Sequence, residues 1–149
     1  MEQGRTNMLL AAGLLLAGGL HASGPVKVTG DVTVPMSEEQ RAVTITVLDA
    51  AGDTLQLHET WTGRFKLHLP EEEVITLRFS QPGCLAKDVV LDTRHALGED
   101  LRHRRVAFGV ELHHRPEQPL RYDGAVGTIA FRPGSGLMAV ERHPVLVRQ

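Results

Sequence analysis

The chain reads as all-β, an antiparallel β-sandwich of about seven strands with a β-hairpin appended at its C-terminal end. Apolar residues recur with period two over short stretches, and Gly, Pro and Asp turn signals separate those stretches. No long stretch beyond residue 20 carries the 3.6-residue period of an amphipathic helix. Strands that bury one face each and follow one another through short turns are expected to stack as two sheets around one core.

The first strand is expected where Val26, Val28, Val32 and Val34 share a face and Lys27, Thr29, Asp31 and Thr33 share the other. Met36 to Gln40 break the pattern. Val43, Ile45 and Val47 resume it and run into the turn Asp49-Ala50-Ala51-Gly52-Asp53, from which Thr54 to Thr60 return as a third strand. Arg64 to Leu69 form a fourth, stopped at Pro70 because proline has no N–H for the ladder. His68 then points outward with Arg64 and Lys66. Glu71, Glu72 and Glu73 read as a solvated turn, Ile75, Leu77 and Phe79 as the inner face of a fifth strand, and Cys84 to Leu91 as a sixth. Asp92 to Arg105 is too polar for an inward-facing strand and reads as a loop or a short helical turn. Val106, Phe108, Val110 and Leu112 give the seventh strand. Beyond Pro116 and Pro119, segments 126–132 and 137–141 flank Pro133-Gly134 as a hairpin, so residues 115–149 are expected to form an appended ribbon after a sandwich spanning 23–114.

Composition narrows the function classes. At 149 residues, 42% hydrophobic and 23% charged, the chain suits one folded domain, and a net charge of −2 gives no general pull toward nucleic acid. The charge is uneven. Residues 25–98 carry seven basic and eleven acidic side chains; residues 99–149 carry eight and six, and those eight are all arginines. Arginine favours phosphate and carboxylate contacts, but a solvated arginine-rich surface is the simpler expectation.

Arg5 followed by the apolar run Met8 to Leu20 has the form of a secretory signal, with cleavage after Ala22, so residues 1–22 are expected to be removed on export. The run is too short to span a bilayer core of about 30 Å as a helix, and the mature chain is expected to hold no transmembrane span. The destination is then periplasmic, cell-surface or extracellular. With Cys84 as the single cysteine, no internal disulfide forms, and stability must come from burial.

Several segments together carry a resemblance to a known family. They are Val26-Lys27-Val28-Thr29-Gly30, Val43 to Val47 leading into Asp49-Ala50-Ala51-Gly52, Gly63-Arg64-Phe65-Lys66-Leu67-His68-Leu69-Pro70, and Leu77 to Cys84 with Val89 to Asp92. Over roughly residues 26–92 the chain resembles the carboxypeptidase regulatory-like domain, a seven-stranded transthyretin-like (prealbumin-like) sandwich of Ig-like layering. Two positions depart from the pattern. Thr60-Trp61-Thr62-Gly63 stands where the family carries Thr-Asp before the glycine, and Gly83-Cys84 where it carries Gly-Tyr or Gly-Phe. The resemblance implies a non-catalytic module of secreted and envelope proteins, often bacterial, used in folding, adhesion or recognition. A hydrolytic transthyretin-like branch ends in Tyr-Arg-Gly-Ser; this chain ends Val145-Leu146-Val147-Arg148-Gln149, so no enzyme residues are carried over.

Candidate chemistry is sparse. Cys84 has Lys87 close in sequence but no local catalytic signature, and is expected to be a half-buried sheet residue. His58, His68 and His113 are the candidate metal ligands, His58 and His68 on the expectation that they face each other around the Gly63 turn; adjacent His113 and His114 point to opposite faces. Trp61 is either a recognition aromatic beside a loop or, as the simpler expectation, a core residue. There is no glycine-rich phosphate loop, no serine elbow and no basic-aromatic interleaving for nucleic acid. The leading expectation is an exported, non-catalytic binding or structural module of the bacterial cell envelope. It engages a protein or surface polymer without a cofactor, through Trp61, through Arg94, Arg102, Arg104 and Arg105 in the long loop, or through an exposed edge of the 120–142 hairpin. The competing class is a small periplasmic metal-binding protein using cross-strand histidines. A third, a hydrolase on the transthyretin-like scaffold, requires His with Arg at a dimer seam.

Overall fold

The computed structural model describes residues 24–36, 41–97 and 105–148; the proposed signal, Arg102, Arg104 and His103 lie outside the described residues. Among the described residues there are eleven strands and no helix. In order they are β1 Val26–Thr33, β2 Val43–Leu48, β3 Thr54–Thr60, β4 Arg64–Leu69, β5 Val74–Ser80, β6 Lys87–Asp92, β7 Val106–Glu111, β8 Leu120–Tyr122, β9 Gly127–Phe131, β10 Met138–Arg142 and β11 Leu146–Arg148. They form a three-stranded sheet β4-β1-β7, a six-stranded sheet β10-β9-β6-β5-β2-β3 and a small β11-β8 ribbon.

The period-two pattern selects the layers. Val26, Val28 and Val32, Phe65, Leu67 and Leu69, and Val106 and Val110 face inward from the smaller sheet. Val43, Ile45 and Val47, Ile75, Leu77 and Phe79, and Val89 and Leu91 meet them from the larger one. All belong to one buried cluster, so the all-β sandwich-like fold rests on a single core. Phe65, Phe79 and Phe108 fill its middle, with centroids 5.6 to 6.1 Å apart in tilted and edge-on arrangements that suit the ring quadrupoles.

The hairpin β9–β10 is built into the larger sheet, and Ile129 and Phe131 of β9 enter the same core. Not every pairing is antiparallel: β1 runs parallel to β7, and β6 parallel to β9. Alternation determines which face a strand buries and leaves open which neighbour it takes, so the sequence did not reveal these two directions. The sixth strand begins at Lys87, and Cys84 stands before it in an isolated bridge to His114. Cys84 is also fully within the core at 5% exposure, more buried than its place beside a turn suggests.

Turn chemistry follows the sequence. The Asp49 carboxylate accepts the N–H groups of Ala51 and Asp53, each at 2.9 Å, around Gly52 with φ of 89°. The segment after β6 is tied down by Thr93, whose buried hydroxyl donates to the Glu73 carbonyl at 2.9 Å and accepts the Glu73 N–H at 3.0 Å.

Candidate functional site

The two sheets differ in width, and the mismatch creates a groove. The smaller sheet stops at β7, whereas the larger continues past β6 through β9 to β10. Beyond β7 the inner face of the hairpin therefore lacks a covering strand. A cleft of about 340 Å³ opens there, lined by Phe108 and Val110 of β7, Ile129 of β9 and Val140 of β10, with Lys87, Glu111, Glu141 and Arg142 supplying charge of both signs.

The register of the hairpin specifies what β10 offers at its outer edge. The N–H of Arg132 donates to Leu137, and that of His143 to Val126, so Leu137, Ala139, Glu141 and His143 direct their main-chain groups toward β9. By alternation, Met138, Val140 and Arg142 direct theirs away, along an edge with no strand beyond it among the described residues. Met138 and Val140 are 47% and 53% exposed, and the strand MAVER carries neither proline nor lysine. Natural sheet edges are commonly blunted by such residues. On the opposite wall, Leu112 N–H donates to Thr33, which turns the main-chain groups of Ala107 and Gly109 away from β1 toward the groove. Further along, Lys87 Nζ closes this edge by donating to the Glu111 carbonyl, and it stands 5.3 Å from the centre of the Tyr122 ring. Burial pushes the Lys87 pKa below the ordinary lysine value, with nearby Glu111 acting in the opposite direction.

The residues singled out by sequence do not assemble into one site. Trp61 is 62% exposed in the link between β3 and β4, so the expectation of core packing is corrected. The Trp61 to Gly63 link carries the chain from one sheet to the other. That crossing also separates His58 from His68: β3 is an edge of the six-stranded sheet and β4 an edge of the three-stranded one. His68 faces outward, paired in register with Lys27, as its place in the alternation predicted. His113 lies past the end of β7, 3.6 Å from the Glu111 carboxylate. Among the described residues, no three His, Cys, Asp or Glu side chains gather closely enough to hold a metal ion. Arg94 makes a two-pronged contact with Asp92, whose carboxyl it holds below the usual range by hydrogen bonding; the guanidinium is raised in turn. Arg105 is exposed at the entry to β7.

The surroundings of Cys84 disfavour its thiolate. Burial raises its thiol pKa, and its Sγ lies 3.5 Å from the Gln81 side-chain oxygen. Alkylation by iodoacetamide at pH 7.5 is expected to be at least about a hundredfold slower in the native protein than in urea, because the thiol must first be exposed. Equal rates, followed by mass spectrometry, would refute its burial.

Sequence reasoning named the exposed hairpin edge but had no way to see the groove, because the groove depends on which strand ends the opposing sheet. The chain matches no family model, and no curated protein matches it significantly.

Proposed function

We propose that the chain is an exported, non-catalytic binding module of the cell envelope that captures an extended segment of a partner protein by strand addition along β10. The observation that carries this reading is the unpaired main-chain row of Met138, Val140 and Arg142 beside an apolar cleft. A strand laid against that row gains ladder hydrogen bonds, and its alternate side chains enter the cleft against Phe108, Ile129 and Val140. The signal-like N-terminus and the resemblance to carboxypeptidase regulatory-like domains support the compartment and the non-catalytic role. The histidine-based metal reading gains no support from the placement of His58, His68 and His113.

The test is selection of short linear peptides from a displayed library, followed by titration of the synthesised winners. Bound peptide is expected to slow amide exchange at Met138, Val140 and Arg142. Val140→Pro removes an outward N–H without touching the β9 ladder and is expected to weaken binding at least about a hundredfold with little loss of stability. Peptides that protect another surface, or that bind V140P as well as the parent, would overturn the reading.

A further inference from the structure

A second depression, independent of the groove, is built from arginines that no sequence motif singled out. Its components come from three parts of the chain. On β5 and β6, Arg78 and Asp88 stand opposite each other in register, on the face away from the core, and join through two hydrogen bonds of 2.8 Å. Arg115 is brought in by the Cys84–His114 bridge: its N–H donates to the Gly83 carbonyl at 2.8 Å, and Leu85 N–H donates to His113 at 2.9 Å. Arg121 and Tyr122 come from β8, whose pairing with β11 sets Arg121 opposite Val147. Together these side chains line a cleft of about 400 Å³.

The charges do not cancel. Among the described residues, Asp88 is the single carboxylate lining the cleft, and Arg78 already satisfies it in a fork-to-fork geometry. Among the described residues, no carboxylate lies within ion-pair distance of Arg115 or Arg121. Arg115 and Arg121 thus line a concave space together with Tyr122, and the described side chains that line it carry a net charge of +2. Planar guanidinium forks match the oxygens of phosphate, and a compact dianion neutralises both. Phosphate alone would fill a small part of about 400 Å³, which leaves room for a sugar-sized group attached to it.

We infer that this cleft binds a phosphate monoester carried on a small polar group such as a sugar, with Arg115 and Arg121 holding the phosphoryl oxygens and the Tyr122 hydroxyl available as a further donor. The site does not depend on the β10 edge, and the two readings stand or fall separately.

The experiment is a ¹⁵N-detected NMR titration of the whole mature protein with glucose 6-phosphate at pH 7.5. Saturable shifts are expected at the amides of Ala86, Arg115 and Arg121. Arg115→Gln and Arg121→Gln are each expected to weaken binding at least about tenfold, since each removes a charge-assisted contact. Both side chains are exposed, so neither change endangers the fold. Arg132→Gln, on the β9–β10 turn outside the cleft, is expected to leave the affinity unchanged. Glucose 6-sulfate, a monoanion, is expected to bind about tenfold more weakly. Lowering the pH below about 6, where the phosphate loses its second charge, is expected to weaken glucose 6-phosphate toward the same level. Shifts that do not saturate, equal weakening by R132Q, or equal affinity for the sulfate ester would overturn the proposal and leave only a diffuse basic surface.

Discussion

Gly30→Ala is expected to cost the protein about 3 kcal/mol or more, a large part of the 5–15 kcal/mol that holds a typical domain together. Gly30 lies in β1, directly opposite Phe65 of β4 on one side and Phe108 of β7 on the other. A Cβ built there would stand 1.9 Å from the Phe108 carbonyl oxygen and 2.7 Å from the Phe65 ring. A ring can swing aside, but the carbonyl belongs to the ladder that joins β1 to β7. Relief therefore requires the two strands to part, at the cost of hydrogen bonds and core contacts together. Gly52→Ala is the matched control: nothing lies within 4 Å of its Cβ, and only the positive φ is at stake, worth about 1–2 kcal/mol. Urea unfolding of both variants separates close approach from backbone strain. Equal, small shifts in the two midpoints would mean that β1 and β7 are not in contact at Gly30.

Phe79→Ala is expected to destabilise by about 3–5 kcal/mol and to lower Tm by roughly 10–20 °C. Phe79 is the largest side chain with no exposure, and it is the larger sheet's contribution to the aromatic trio that joins the layers. Its removal leaves a hole bordered by Phe65 and Phe108, which are held by strands of the opposite sheet and cannot collapse far into it. Phe79→Leu retains most of the volume and is expected to cost about 1 kcal/mol. A calorimetric Tm within a few degrees of the parent for the alanine variant would refute this account of the core.

The contrast between Phe79 and Trp61 shows what was legible in the sequence. Phe79 lies in a run where every second residue is apolar, and that period alone gives its strand, its inward direction and its burial. The seven principal strands and the β9–β10 hairpin were readable for the same reason. Trp61 sits between two such runs, where no period applies, and its exposure depends on the chain crossing between sheets at that point. The His58–His68 expectation failed on the same crossing, because sequence proximity around a glycine was taken for a hairpin. The parallel pairings of β7 and β9 and the three-residue ribbon β8–β11 were also out of reach. Pairing partners are chosen by how whole layers fit together, and three residues are too few to display a period. Neither cleft was visible for a related reason. The groove needs the end of one sheet to be known against the other, and the arginine cleft needs Arg78, Arg115 and Arg121 to converge from separate elements.

The central position of β1 has a consequence for the order in which the molecule can be made. A ribosome releases Val26 to Thr33 before any strand they pair with, yet their neighbours are β4 and, much later, β7. The smaller layer therefore cannot close until residue 111 has emerged, and every nascent chain shorter than that carries a β1 whose second edge has no ladder partner. Long-range pairing of this kind slows folding to milliseconds or longer, an interval in which the growing polypeptide stays available to chaperones.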